Sequence, residues 1–100
     1  MAEIDKNDLA MLQRSKKNLS SKNLSHANLE GIDFSFGNFI STNFKEANLK
    51  NANFASAKLG SADFTKTDLN CANFSSAKLF KTILFQAKLS EANFTESDLM

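Results

Sequence analysis

The sequence predicts an all-β solenoid of square cross-section, with about four coils of twenty residues behind a short N-terminal capping helix. Two periodicities and one omission predict it. Large apolar residues recur every five positions without a break, and like residues recur every twenty. A chain that must turn this often nevertheless holds no proline, three glycines and ten phenylalanines. One hundred residues are room for one small domain.

The five-residue register runs through Leu19, Leu24, Leu29, Phe34, Phe39, Phe44, Leu49, Phe54, Leu59, Phe64, Leu69, Phe74, Leu79, Leu84, Leu89, Phe94 and Leu99, seventeen slots filled only by Leu or Phe. Two places earlier the residue is usually small, alanine in nine of the seventeen; one place earlier it is Asn or Asp in thirteen. Period five fits no simple element. On an α-helix it advances about 500° and scatters the large residues round the axis. On a flat strand an odd period sends successive large residues to opposite faces. The pattern closes only if the chain turns between units and every unit centre points to a common axis. Asn and Asp suit such turns, because their side chains bond nearby backbone groups and tolerate unusual dihedrals.

The second period sets the number of sides. Phe34, Phe54, Phe74 and Phe94 form one column at spacing twenty, and Leu29, Leu49, Leu69 and Leu89 another. Four pentapeptides per coil put like on like, with the Phe column a ladder of rings at roughly the 4.8 Å strand spacing. These eight residues are the expected structural core.

The unit Ala-(Asn/Asp)-(Leu/Phe)-x-x, as in Ala27-Asn28-Leu29, Ala52-Asn53-Phe54, Ala62-Asp63-Phe64 and Ala92-Asn93-Phe94, resembles the pentapeptide-repeat family over about residues 17–100. The resemblance implies a right-handed quadrilateral β-helix. It also implies no enzymatic activity from the repeat itself. Some members are rod-shaped DNA mimics that bind DNA gyrase.

Residues 1–16 are expected to form the cap and 17–100 the β-helix. Asp5 suits an N-cap, Ile4 and Leu9 a hydrophobic staple, and Arg14, Lys16 and Lys17 the C-terminal end of the helix dipole. Lys17 and Lys22 occupy the small inward slot, so an irregular first coil is expected. The pattern runs in register to Leu99 and Met100, so either another copy covers the last coil or the protein continues past residue 100; the resemblance to family members that dimerise through their C-terminal coils implies an end-to-end homodimer.

Function is less legible than fold. Net charge is +1, which favours neither nucleic acid nor an acidic mimic. Lys58 and Lys78 share a column, but no aromatic platform accompanies them for stacking bases. Acids matched by lysines argue against the gyrase mimic, which is kept as the alternative reading. His26 and Cys71 have no partner at an interpretable spacing, so no catalytic residue, metal ligand or cofactor is expected. No apolar run reaches ten residues, and the N-terminus has no signal-peptide core, so a cytoplasmic protein off the membrane is expected. Phe80, Ile83 and Phe85 all fall at outward positions around one corner, unless a bulge at 80–85 tucks them in. Ile40 and Met100 share the Phe80 column, and Phe36 is a further outward aromatic. An exposed apolar cluster marks a contact surface. These six residues are the candidate partner-binding set of a non-enzymatic interaction module.

Overall fold

The computed structural model describes residues 18–99. The predicted cap, with Lys17, and the candidate site residue Met100 lie outside the described residues. Parallel bridges join residues twenty apart, from Asn18↔Asn38 to Lys78↔Asp98. Each coil therefore takes twenty residues and has four sides. Side 1 covers 18–22, side 2 covers 23–27, side 3 covers 28–32 and side 4 covers 33–37, and each repeats twenty residues on. A turn every five residues leaves no length for a continuous strand, so each side contributes a single bridge residue to its sheet.

Three backbone hydrogen bonds per side tie one coil to the next. On side 1 the Leu19 N–H donates to the Asn38 carbonyl at 2.9 Å and the Ser21 N–H to the Ile40 carbonyl at 2.9 Å; returning, the Asn43 N–H donates to the Lys22 carbonyl at 2.9 Å. The pattern repeats along the rod. Within a side, a four-residue turn closes where the Lys22 N–H meets the Leu19 carbonyl at 3.1 Å, and the same bond recurs up to the Ser97 N–H and the Phe94 carbonyl at 3.1 Å. The irregular first coil expected from Lys22 is not found. Its backbone keeps both ladder and turn bonds, and its side chain escapes the small slot by lying exposed.

The third residue of each turn has positive φ, at every fifth position from Ser21 (60°) to Glu96 (58°), and only Gly31 (73°) among them is glycine. The Asn and Asp residues were expected to take the unusual dihedrals and, Asn51 apart, they do not. They stand at the bridges, where Oδ1 accepts the N–H two residues on: Asn53 from Ala55, Asn73 from Ser75 and Asn93 from Thr95, each at 2.9 Å. The left-handed conformation costs an ordinary residue about 1–2 kcal/mol. It also turns the central peptide of the turn along the axis, so that its N–H joins the coil-to-coil ladder, as Ser56 does to the Ser75 carbonyl at 2.9 Å. Giving up that conformation would strand a backbone donor, which costs a similar amount. This is why Ser, Lys, Glu and His sit where glycine would otherwise be chosen.

Inside, the Phe column is a true stack. Phe34–Phe54, Phe54–Phe74 and Phe74–Phe94 have ring centroids 4.9, 5.2 and 5.0 Å apart and interplanar angles of at most 13°. Phe44 and Phe64 stack on the opposite side at 4.9 Å. The two stacks meet edge to face, as at Phe54–Phe64 (5.6 Å, 79°), a favoured arrangement of ring quadrupoles. Leu29, Leu49, Leu69, Phe34, Phe54 and Phe74 are fully buried. Phe94 and Leu89, also expected as core, are only half-buried, as is Leu84, and Leu99 is 66% exposed. Leu84, Leu89 and Phe94 belong to the last full described coil and Leu99 begins the next, so described neighbours cover each of them incompletely.

Candidate partner-binding surface

The segment at 80–85 does not bulge. The Ser61 N–H reaches the Phe80 carbonyl at 2.9 Å, Asp63 bridges Ile83, and the Lys66 N–H reaches the Phe85 carbonyl at 2.9 Å. With the register intact, all three apolar side chains are forced outward. Phe80 is 54% exposed, Ile83 44% and Phe85 63%. They follow the chain round the corner from side 1 to side 2 in the coil that starts at Lys78. Ile40 is exposed in the Phe80 column two coils earlier, with Gly60 between them. Phe36 is exposed too, but it occupies a positive-φ turn position on side 4 of the first coil, away from that corner. The structure thus groups Phe80, Ile83 and Phe85 at one corner, sets Ile40 two coils earlier in the Phe80 column, and leaves Phe36 apart.

The charge around this surface is basic. Lys58 bridges Lys78 on side 1, both exposed, and the Lys81 Nζ stands 5.3 Å from the centroid of the Phe80 ring. The expectation that no aromatic accompanies the stacked lysines is therefore corrected. Phe80 follows Lys78 by two residues on the same side, which the sequence already showed once the outward positions were assigned. On side 2, Asp63 lies beneath Ile83 and pairs with Lys45 at 3.7 Å. Partial burial by itself would raise the Asp63 pKa. Hydrogen bonds from the Thr65 hydroxyl (2.5 Å) and N–H (2.9 Å), with Lys45 nearby, outweigh it and hold the carboxyl below its ordinary value.

His26 and Cys71 each turn out to have an acid one coil on: His26 Nδ1 lies 3.8 Å from Glu46 Oε1, and the Cys71 thiol 3.7 Å from Glu91 Oε1. The partner spacing is twenty residues, a signal the coil period offered. Both pairs are exposed and stand on different sides, and among the described residues no third group completes a catalytic set with either. Among the described residues, no cluster of His, Cys, Asp and Glu could hold a metal ion, and no helix is long and apolar enough to cross a membrane.

The family model for pentapeptide repeats matches residues 18–54 and 47–86, in eight copies. The chain is similar to the crystal structure of alr5209, a pentapeptide repeat protein from Nostoc Pcc 7120, with a TM-score of 0.83 at 22% identity over 100% of both chains. Similarity to Rfr23, a pentapeptide repeat protein from the cyanobacterium Cyanothece 51142, is looser: TM-score 0.46 and 27% identity, over 83% of this chain and 60% of that one. For HetL, a pentapeptide repeat protein from Nostoc sp. strain PCC 7120 involved in heterocyst differentiation regulation, the TM-score is 0.43 at 27% identity, over 83% of this chain and 43% of HetL. No curated protein matches the chain by sequence.

Proposed function

The chain belongs to the pentapeptide-repeat family, and from that premise we propose that it is a non-enzymatic interaction module, a rigid β-helix offering the corner at Phe80, Ile83 and Phe85 to a protein partner or to a second copy of itself. One observation carries this reading: three large apolar side chains stand 44–63% exposed at a corner whose backbone ladder is unbroken. Side chains kept out of the core by an intact register add little to folding stability, and exposed apolar clusters of this kind mark contact surfaces. The rigidity of the ladder adds to it, since a preformed surface loses little entropy on binding.

The gyrase-mimic alternative finds no support in the charge pattern. The acids among the described residues are spread over all four sides, and no twenty-residue column holds two of them. A DNA-like face would need such a column.

The test is Phe80→Asp/Phe85→Asp, read by urea unfolding and by absolute mass from light scattering under reducing conditions. The contact reading expects a change in unfolding free energy of no more than about 0.5 kcal/mol per site, as for surface positions. A large loss of stability would show that these side chains serve packing and would overturn it. The masses then assign the occupant. A wild-type dimer that becomes a folded monomer makes the corner a self-contact, and a dimer that survives moves self-association to the coil end at Leu84, Leu89, Phe94 and Leu99. A wild-type monomer directs the corner to another protein.

A further inference from the structure

The outer column Ile40, Gly60, Phe80 has a step in its middle. Its stacking is fixed by backbone bonds, from the Ser41 N–H to the Gly60 carbonyl and from the Ser61 N–H to the Phe80 carbonyl, both 2.9 Å. Unlike Gly31, Gly60 does not have positive φ. A Cβ added to it would meet only the Phe80 carbonyl oxygen, at 3.5 Å, an ordinary contact. Ile40 holds the same turn position one coil earlier, so the fold accepts even a β-branched residue there. Nothing in the folding of the chain requires glycine at this place. Its effect is to leave a gap about two coil spacings wide, roughly 10 Å, between two exposed apolar side chains. Glycine at a turn position without a conformational need leaves the backbone open to the close approach of another chain.

What borders the gap gives the chemistry of that chain. Lys58 and Lys78 are bridged neighbours on the same side, both exposed, so two like charges face outward at the coil spacing. Lys81 lies against the Phe80 ring. In the adjoining column Asp98 is the one acid among the described residues, and none stands in the Ile40–Gly60–Phe80 column. Asp98 bridges Lys78 and stands beside that lysine alone, so a purely apolar partner would desolvate the Lys58 and Lys81 ammonium groups without compensation.

We propose that the Ile40–Gly60–Phe80 step binds an extended acidic segment of a partner protein, with an apolar side chain over Gly60 and carboxylates facing Lys58, Lys78 and Lys81. The inference rests on the interaction-module reading and names the partner's chemistry. Acidic residues answer the lysines, one apolar residue answers the step, and an extended backbone matches a side only five residues long.

The probe is a fluorescein-labelled heptapeptide with a central phenylalanine and three glutamates on each side, followed by anisotropy. Controls are the same peptide with lysines for glutamates, an oligothymidylate, and phosphatidylcholine vesicles with about a third phosphatidylserine. The expected result is binding of the glutamate peptide, weakened about tenfold or more by Gly60→Val and by Lys58→Glu/Lys78→Glu, with circular dichroism unchanged. Absence of binding, or binding indifferent to both variants, overturns the proposal. Preference for the oligonucleotide or the vesicles overturns it as well, by assigning the lysines to another class of partner. The interaction-module reading is separable: it fails if the Phe80 and Phe85 substitutions unfold the protein, and it survives if the corner contacts a partner that is insensitive to Gly60→Val.

Discussion

Gly37 and Phe39 share one space. A Cβ on residue 37 would stand 2.5 Å from Cε2 and 2.7 Å from Cζ of the Phe39 ring. On side 1 the other buried centres are leucines, and Leu59 and Leu79 are preceded by Ala57 and Ala77 at the small slot. Phe39 is the larger centre, and the glycine two places before it makes the room. The ring then meets Phe34 edge on at 5.1 Å and 86°. Gly37→Ala is expected to cost about 1–3 kcal/mol in urea unfolding, the usual penalty of overpacking. Adding Phe39→Leu should recover much of that loss, a coupling a double-mutant cycle reads directly. Additive losses would mean that the ring moves aside freely.

Phe54 is the best-connected ring in the core, in contact with the rings of Phe34, Phe39, Phe44, Phe64 and Phe74. Phe54→Ala should cost about 3–5 kcal/mol. Phe94, half-buried and stacked on Phe74, should cost clearly less. Equal losses in chemical denaturation would contradict the picture of a core that thins toward the uppermost described coil.

The positive-φ positions predict a surface substitution with a core-sized effect. Ser76 is exposed with φ of 57°. Ser76→Val should lose about 1–3 kcal/mol, because a β-branched side chain is strained there. At Ser75, one residue earlier and outside the left-handed region, the same change should be much milder. Unfolding curves of the two variants compare them.

Asp63 predicts a pH dependence. Its folded pKa is lowered by Thr65 and Lys45 against the opposing effect of burial. A depressed carboxyl contributes stability that is fully present above its unfolded pKa and is lost as pH falls through the folded value. Wild type should therefore lose this part of its stability below about pH 4. Asp63→Asn keeps an Oδ1 acceptor for the Thr65 N–H, gives up the charge, and should be slightly less stable at neutral pH. The gap to wild type should narrow by about pH 3. A gap that does not change with pH would remove the charge from the explanation.

The coil is legible in the sequence because its signal is repeated. Every central residue is Leu or Phe and every coil repeats at twenty, so the register of Phe34, Phe54 and Phe74 follows from spacing alone. The residues that take positive φ are not legible in this way, because Ser56, Lys66, Cys71 and Gln86 have no chemistry in common. The conformation there is imposed by the ladder, and no side chain selects it. The exposed corner is legible by subtraction, since Phe80, Ile83 and Phe85 are large apolar residues at outward positions. Its lysine border is hidden in the linear order, because Phe80 belongs with Lys78 only when the side is taken as a surface. Leu99 carries the core signature and is nevertheless exposed, since its described neighbours cover it on one face alone.

The most direct test of the contact surface is photocrosslinking in the living cell, with a benzophenone amino acid placed at residue 80 or 85 and, as control, at residue 76 on side 4. A discrete crosslinked adduct is expected from 80 and 85, of one partner or of a second copy, and none from 76. Adducts that form equally from 76, or none from 80 and 85, would contradict the contact surface.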